Sequence, residues 1–378
     1  MVSLSAENGR RRLLKKIIAF LKNEAVLTVA ALCAVATAFI VPPDGEYIGY
    51  IDFRVLGLLF ALMTLVEGFR RCGLFRILTA AMLRRSISGR VLGLLLVALP
   101  FFSAMLVTND VALLVFVPFT LGLLDDLGCR KSAVPVLVLQ TVAANLGSMA
   151  TPVGNPQNLF LYSRYELAAG EFFAVVLPIA ALSMLALGLL ALFALPKRLP
   201  PYEAETVRLA KPRALAVYAA LFVLALLSVF RLLPWEVLCV LVIAAAALLD
   251  RELLRRADYA LLLTFVCFFV VSGNLGRVEA VKTLVQGLME KNALLTAVLV
   301  SQVISNVPAA VLLSGFTENA AALLAGTNIG GLGTPIASLA SLITLKLYLK
   351  SEGAQPARFL LIFTLVNVAF LALLLVFA

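Results

Sequence analysis

Histidine is absent from this 378-residue chain, which removes the commonest proton shuttle and the commonest metal ligand together. Any proton handling falls to carboxylates. Charge is scarce too: Asp, Glu, Lys and Arg make up 14% of the residues against 62% hydrophobic, and mean hydropathy is +1.05. No soluble domain of this length accommodates that composition, so the chain is read as a protein of the lipid bilayer. The five cysteines form neither a disulfide framework nor a metal-ligand spacing. No resident cofactor is expected, and sodium is the only metal the reading admits. Paired carboxylates, a nucleophile elbow and metal-ligand motifs are also missing, which disfavours a membrane-embedded enzyme. The net charge of +10 comes from Lys and Arg clusters set between apolar runs rather than from a separate basic domain, so nucleic acid is excluded as a partner.

The apolar runs give full crossings at about 25–42, 51–69, 132–162, 172–195, 214–230, 235–250, 258–274, 320–349 and 357–377, each long enough for a hydrocarbon core of about 30 Å. Two further runs, 91–124 and 292–316, are split by Thr108-Asn109-Asp110 and by Ser305-Asn306. Their arms read as too short to span, which makes them re-entrant hairpins. The expected fold class is therefore an all-α polytopic membrane protein with about nine transmembrane crossings plus two re-entrant helical hairpins. With the N-terminus cytoplasmic, 25 of the 31 Lys and Arg fall inside, and only Arg54, Arg164, Arg231, Arg277, Lys282 and Lys291 fall outside. The C-terminus is then outside, in a plasma or inner membrane. Residues 73–85 and 277–291 alternate apolar and basic residues at helical spacing and read as interfacial helices.

Two stretches share one pattern, Ala144–Pro152 (ANLGSMATP) and Thr327–Pro335 (TNIGGLGTP), each following a split apolar run. The repetition implies two inverted repeats. Residues 1–24 form a basic N-terminus, 25–195 the first repeat, 196–234 a linker with a linking helix, and 235–378 the second repeat. Segments 132–162 and 320–349 are too long for simple spans, since 31 helical residues extend roughly 46 Å, and two discontinuous helices are expected. Gly- and Pro-rich polar sequence at bilayer depth is tolerated only where it is buried in protein or lines a watery cavity. A membrane protein carrying such a unit twice reads as a transporter.

Broken helices present positive N–H ends and negative carbonyl ends, Asn adds a donor and an acceptor, and Thr adds a hydroxyl. This marks Asn145, Gly147, Thr151, Asn328, Gly330 and Thr334, with Asn155 and Asn158 of GNPQN and the tip residues Asn109 and Asn306, as residues of a binding site able to hold an anion and a cation side by side. Ser338 and Ser341 stand in the second repeat where Asn155 and Asn158 stand in the first. Asp110 is a carboxylate inside an apolar hairpin without a neighbouring Lys or Arg, so it reads as a cation ligand or proton carrier, or as a helix cap. Glu67 reads as half of an interfacial ion pair with Arg70 or Arg71.

TNDVALLVFVPF, ANLGSMATPVGNPQNL, SNVPAAVLL and NIGGLGTPIASLASL together resemble the ion transporter superfamily of citrate and dicarboxylate/sodium symporters, arsenite permeases and sodium/proton antiporters. The resemblance spans roughly residues 25–378. It implies that Thr108, Asn109, Ser305 and Asn306 contact substrate or sodium, and that Asn145, Gly147, Thr151, Asn328, Gly330 and Thr334 surround the cations. It further implies alternating access, a small anionic substrate and a homodimer in the bilayer. The chain has Asp110 and Val307 where the carboxylate branch has a third tip residue, Thr. Its Asn-Asp tip and the ending TPIASLASLITLKLY are closer to the arsenite permeases, which exchange substrate for protons, while GNPQN resembles other anion permeases.

Overall fold

The computed structural model describes residues 24–75, 77, 88–199 and 210–378. These residues form helices and loops without a strand. The first 23 residues, most of the amphipathic stretch 73–85 and the middle of the linker lie outside the described residues. Among the described residues five helices are long and apolar enough to cross a membrane: Gly89–Val107, Ala169–Ala191, Pro212–Val229, Tyr259–Gly276 and Pro356–Phe377.

In chain order the principal helices are α1 (Ala25–Ile40), α2 (Phe53–Cys72), α3 (Gly89–Val107), α4 (Asn109–Asp126), α5 (Ala133–Ser148), α6 (Pro156–Arg164), α7 (Ala169–Ala191) and α8 (Pro212–Val229). They continue with α9 (Trp235–Leu249), α10 (Tyr259–Gly276), α11 (Glu279–Ile304), α12 (Asn306–Leu313), α13 (Ala320–Ile329), α14 (Leu339–Leu349) and α15 (Pro356–Phe377). Both long segments are interrupted, 132–162 between α5 and α6 and 320–349 between α13 and α14. Asn292 breaks α11 with extended backbone (φ −165°), and its carboxamide oxygen accepts from Leu295 N at 2.8 Å, a cap that starts a new helix there. The basic stretch before it is thereby set apart from the apolar arm after it.

α3 and α4 meet at Thr108 and pack on α5, while α11 and α12 meet at Ser305 and pack on α13. Each second arm then reaches across the molecule: α4 packs on α14, and α12 packs on α6. The expectation that the arms of 91–124 are too short needs correction. α3 has 19 residues and is among the five span candidates, a length of about 28 Å at helical rise.

The helix starts at Gly89, where Ser88 Oγ accepts from Val91 N at 3.4 Å, and it continues through Pro100, whose ring nitrogen cannot donate to the carbonyl of Leu96 and would ordinarily break the helix. Gln140 of α5 supplies the missing donor, its Nε2 lying 2.8 Å from Leu96 O and 2.8 Å from Thr120 Oγ1 of α4. One residue thus joins three helices and keeps α3 continuous. The helices approach closely because Gly147 faces α3: a Cβ there would lie 2.1 Å from the Phe101 carbonyl oxygen.

Gln140→Leu leaves the Leu96 carbonyl buried and unpaired, a cost of about 1–3 kcal/mol. The penalty is expected to shrink in a Pro100→Ala background, where a backbone N–H returns to that carbonyl. Thermal unfolding of the four variants in detergent measures this; equal penalties in both backgrounds would contradict the assignment.

Candidate functional site

The two interruptions lie side by side and exchange their polar side chains. Asn145, near the end of α5, accepts at Oδ1 from Asn109 Nδ2 (2.9 Å) and from Ser338 Oγ (2.9 Å), and its Nδ2 donates to Ser341 Oγ at 3.4 Å. Asn328, near the end of α13, donates from Nδ2 to Asn158 Oδ1 at 2.7 Å and accepts from Asn155 Nδ2 at 3.3 Å. The relation is the same in both: an Asn at the end of one broken segment binds the pair that opens the second fragment of the other. The two sets join through Ser148, whose Oγ donates to Asn145 O at 2.9 Å and accepts from Asn155 Nδ2 at 3.1 Å. All of these side chains are buried, so almost every polar atom needs its partner.

The loops are secured by the side chains that sequence reasoning places there. Asn155 caps α6 by accepting from Asn158 N at 3.1 Å, and Asn158 Nδ2 donates to the carbonyls of Met149 (3.0 Å) and Thr151 (3.2 Å). The Thr151 hydroxyl donates to Met105 O of α3, and the Thr334 hydroxyl donates to Gln302 O of α11 at 3.2 Å. Both acceptors stand four residues before the tip Asn, so the two threonines fasten each break to its own helix pair. Gln302 adds bonds from Nε2 to Gly330 O (2.9 Å) and Leu332 O (3.0 Å), and accepts from Thr334 N at 2.9 Å. This loop needs Gly333, which sits at φ +102°.

The tips share an unusual backbone. Thr108 lies at φ 72°, ψ 151° and Ser305 at φ 74°, ψ 155°, a region that glycine alone occupies freely and that costs a side-chain-bearing residue about 1–3 kcal/mol. Ser305 Oγ and Asn306 N both donate to Ala337 O, at 3.3 and 3.0 Å, so this tip rests on the break before α14. The Asn306 carboxamide lies over Gly331, where a Cβ would fall 2.8 Å from its Nδ2.

A cavity of about 500 Å³ runs along α2, α4, α6, α10 and α14. Its floor holds Thr108, Asp110 and Asn155. At the other end, near helix termini, are Glu24, Glu67, Arg70, Arg256, Asp258 and Lys346. Arg70 is held by Glu67, Nε to Oε2 at 2.6 Å and Nη2 to Oε1 at 2.8 Å, the interfacial pair expected from the sequence. Asp110 does not cap α4: its Oδ1 is buried without a hydrogen-bond partner among the described residues, while the N–H of Asp110 donates to Asn109 Oδ1 at 3.0 Å.

Asn109, Asn145, Asn155, Asn158 and Asn328 therefore meet in one connected cluster, Asn306 and Ser305 bind its margin, and Thr108 and Asp110 face the cavity. Gly147 is packed against α3 and Gly330 against α11, with Ser301 Oγ 2.8 Å from a Cβ built on Gly330. Sequence reasoning did not single out Gln302, Gln140, Ser148 or Gln157, whose Oε1 is buried and unpaired. The signal for Gln302 was its place one helical turn before Asn306.

Residues 17–326 match the citrate transporter family, CitMHS. The inner membrane protein YbiR of Escherichia coli is 32% identical over 337 residues, covering 86% of this chain and 88% of that protein. An uncharacterized transporter of Methanocaldococcus jannaschii is 32% identical over 336 residues, covering 88% and 91%. The silicon efflux transporter LSI3 of rice is 34% identical over 139 residues, covering 37% of this chain and 28% of that protein.

Asn328→Ala strands Asn158 Oδ1 in the buried network and is expected to lower stability by about 1–3 kcal/mol, read as a reduced thermal midpoint in detergent. An unchanged midpoint would show that this bond does not hold the two halves together.

Proposed function

Because the chain belongs to the citrate transporter (CitMHS) family and is a membrane transporter rather than an enzyme, we propose that it is a proton-coupled secondary transporter of a small oxyanion or its conjugate acid. Asp110 carries the proton. The observation behind this reading is the unpaired Asp110 oxygen at the cavity floor, since a carboxylate at bilayer depth is costly and neutralises unless it is partnered. Histidine, the usual alternative, is missing from the chain.

The balance of charge narrows the substrate. The three basic residues of the cavity, Arg70, Arg256 and Lys346, share its outer end with Glu24, Glu67 and Asp258. The floor offers one hydroxyl, one carboxamide and one carboxylate, those of Thr108, Asn155 and Asp110. A multiply charged anion would lose its hydration there against amides alone, beside a negative neighbour, which is unfavourable. A weakly acidic, hydroxyl-rich solute fits better, bound by Thr108, Asn155 and the N-terminal N–H groups of α4 and α6. The similarity to a silicon efflux transporter favours a specific form of this reading, in which an uncharged oxyacid leaves in exchange for a proton.

Two inverted repeats support the transport cycle. Their correspondence rests on the repeated contacts of α3–α5 and α11–α13, the matched tip backbones, and the reciprocal binding of Asn145 and Asn328. The helix pairs around Thr108 and Ser305 act as hairpins entering from opposite leaflets, and alternating access moves them with the broken helices against α1, α2, α9 and α10. The open cavity faces the side carrying Arg70, Arg256 and Lys346, the cytoplasm by the distribution of basic residues. Sodium at the Asn145 and Asn328 clusters is the competing coupling scheme.

In proteoliposomes, uptake or release of a weak oxyacid is expected to follow an imposed pH gradient and to ignore a sodium gradient. Asp110→Asn should abolish the pH dependence while the protein still inserts. A variant whose transport keeps the wild-type pH profile would remove Asp110 from the coupling step.

A further inference from the structure

A second cavity, of about 480 Å³, lies at the opposite ends of α6 and α10. α6 offers Pro156 and Leu159 to the first cavity and Phe160 and Arg164 to the second; α10 offers Leu261 to the first and Phe269, Ser272, Gly273 and Gly276 to the second. The two cavities occupy matching places. Asp52 and Asp258 cap α2 and α10 in the same way, accepting from Val55 N and Leu261 N at 2.9 Å each. Counted from these caps, Met63, Val66, Glu67 and Arg70 of the first cavity correspond to Phe269, Ser272, Gly273 and Gly276 of the second. Counted from the tip Asn109 and Asn306, Leu114 of the first corresponds to Val311 of the second.

The correspondence exposes one difference that bears on function. Phe160 packs against Phe265 and Phe269 with ring centroids 6.4 and 5.6 Å apart, and the latter two lie 5.9 Å from each other. All three are buried, and Phe160 and Phe269 floor the second cavity. The same three positions on the other side are Ile343, Leu59 and Met63, which line the first cavity where it is open. An aromatic trio is closed where its aliphatic counterpart has parted.

We propose that the second cavity is the external vestibule of the solute path and that Phe160, Phe265 and Phe269 are its closed gate. The barrier is thin, because along α10 only the helix between Leu261 and Phe269 separates the two cavities, about 12 Å at helical rise. The vestibule lacks two charges of its inner equivalent, Gly273 and Gly276 standing in place of Glu67 and Arg70, and keeps one acid and one base, Asp52 and Arg164. Its lining hydroxyls, Ser272 and Ser314, suit the same hydroxyl-rich, weakly charged solute. The gate belongs to both bodies of the cycle, Phe160 to the broken helix and Phe265 and Phe269 to α10, so movement of one past the other parts it. This inference rests on the transport reading above.

The test uses impermeant maleimide labelling of single cysteines in the full chain, with the five native cysteines replaced. From outside intact cells, Ser272→Cys is expected to label and Leu342→Cys, in the first cavity, to stay protected; Leu342→Cys labels in inside-out vesicles. Adding Phe160→Ala is expected to raise external labelling of Leu342→Cys about threefold to tenfold, the population shift from losing aromatic contacts. Phe160→Leu and Phe269→Leu, which keep the site apolar, carry the same test if the alanine variant fails to insert. If Ser272→Cys labels only in inside-out vesicles, the orientation and with it the transport reading are overturned. If Ser272→Cys labels from outside but none of the phenylalanine variants exposes Leu342→Cys, the gate alone is overturned.

Discussion

Backbone cut loose inside an apolar environment must find hydrogen bonds in protein, and that requirement shapes this molecule. Four polypeptide ends, those of α5, α6, α13 and α14, converge where two long segments stop and restart. The carbonyls of the first break are held by Asn158 of the same segment and those of the second by Gln302 of α11, and Asn158 is itself fixed across the two segments by Asn328. Asn145 reaches Ser338 and Ser341, Asn328 reaches Asn155 and Asn158, and Thr151 and Thr334 hold the arms of α3 and α11. Neither broken segment has a complete set of partners by itself. The interruptions exist only as a pair.

Much of this was legible in the amino-acid sequence. Gly, Pro and Asn inside apolar runs locate both breaks and both tips, because nothing else tolerates such residues at that depth. The shared Asn-x-Gly-x-x-x-Thr-Pro pattern places Asn145 beside its counterpart Asn328, and the equivalence of Asn155 and Asn158 with Ser338 and Ser341 reappears as the two reciprocal clusters. Lone helical amides were harder to read. Gln140 and Gln302 each sit on an apolar helix face, where a single amide carries no pattern, and their partners are carbonyls freed by features elsewhere in the chain. The arm length of α3 was misjudged because the apolar run starts at residue 91, whereas the helix begins at Gly89 under the Ser88 cap and passes through Pro100 with the help of an amide forty positions away.

The two halves are equivalent in backbone and unequal in chemistry. Asp110 faces Val307 across the correspondence, amides face serines, and phenylalanines face aliphatic residues. On the transport reading, backbone equivalence would allow two mirrored states of comparable energy, and the unequal side chains would decide which is occupied at rest and which ion is handled.

The tips carry a further consequence. Thr108 and Ser305 hold a backbone conformation that glycine would adopt without strain. Evolution for rigidity would have placed glycine at both, yet each keeps a hydroxyl-bearing residue in the more expensive geometry. On the transport reading the chain forgoes stability at two positions that frame its solute site, so a search for hardier versions of this protein would select first the replacements that silence it.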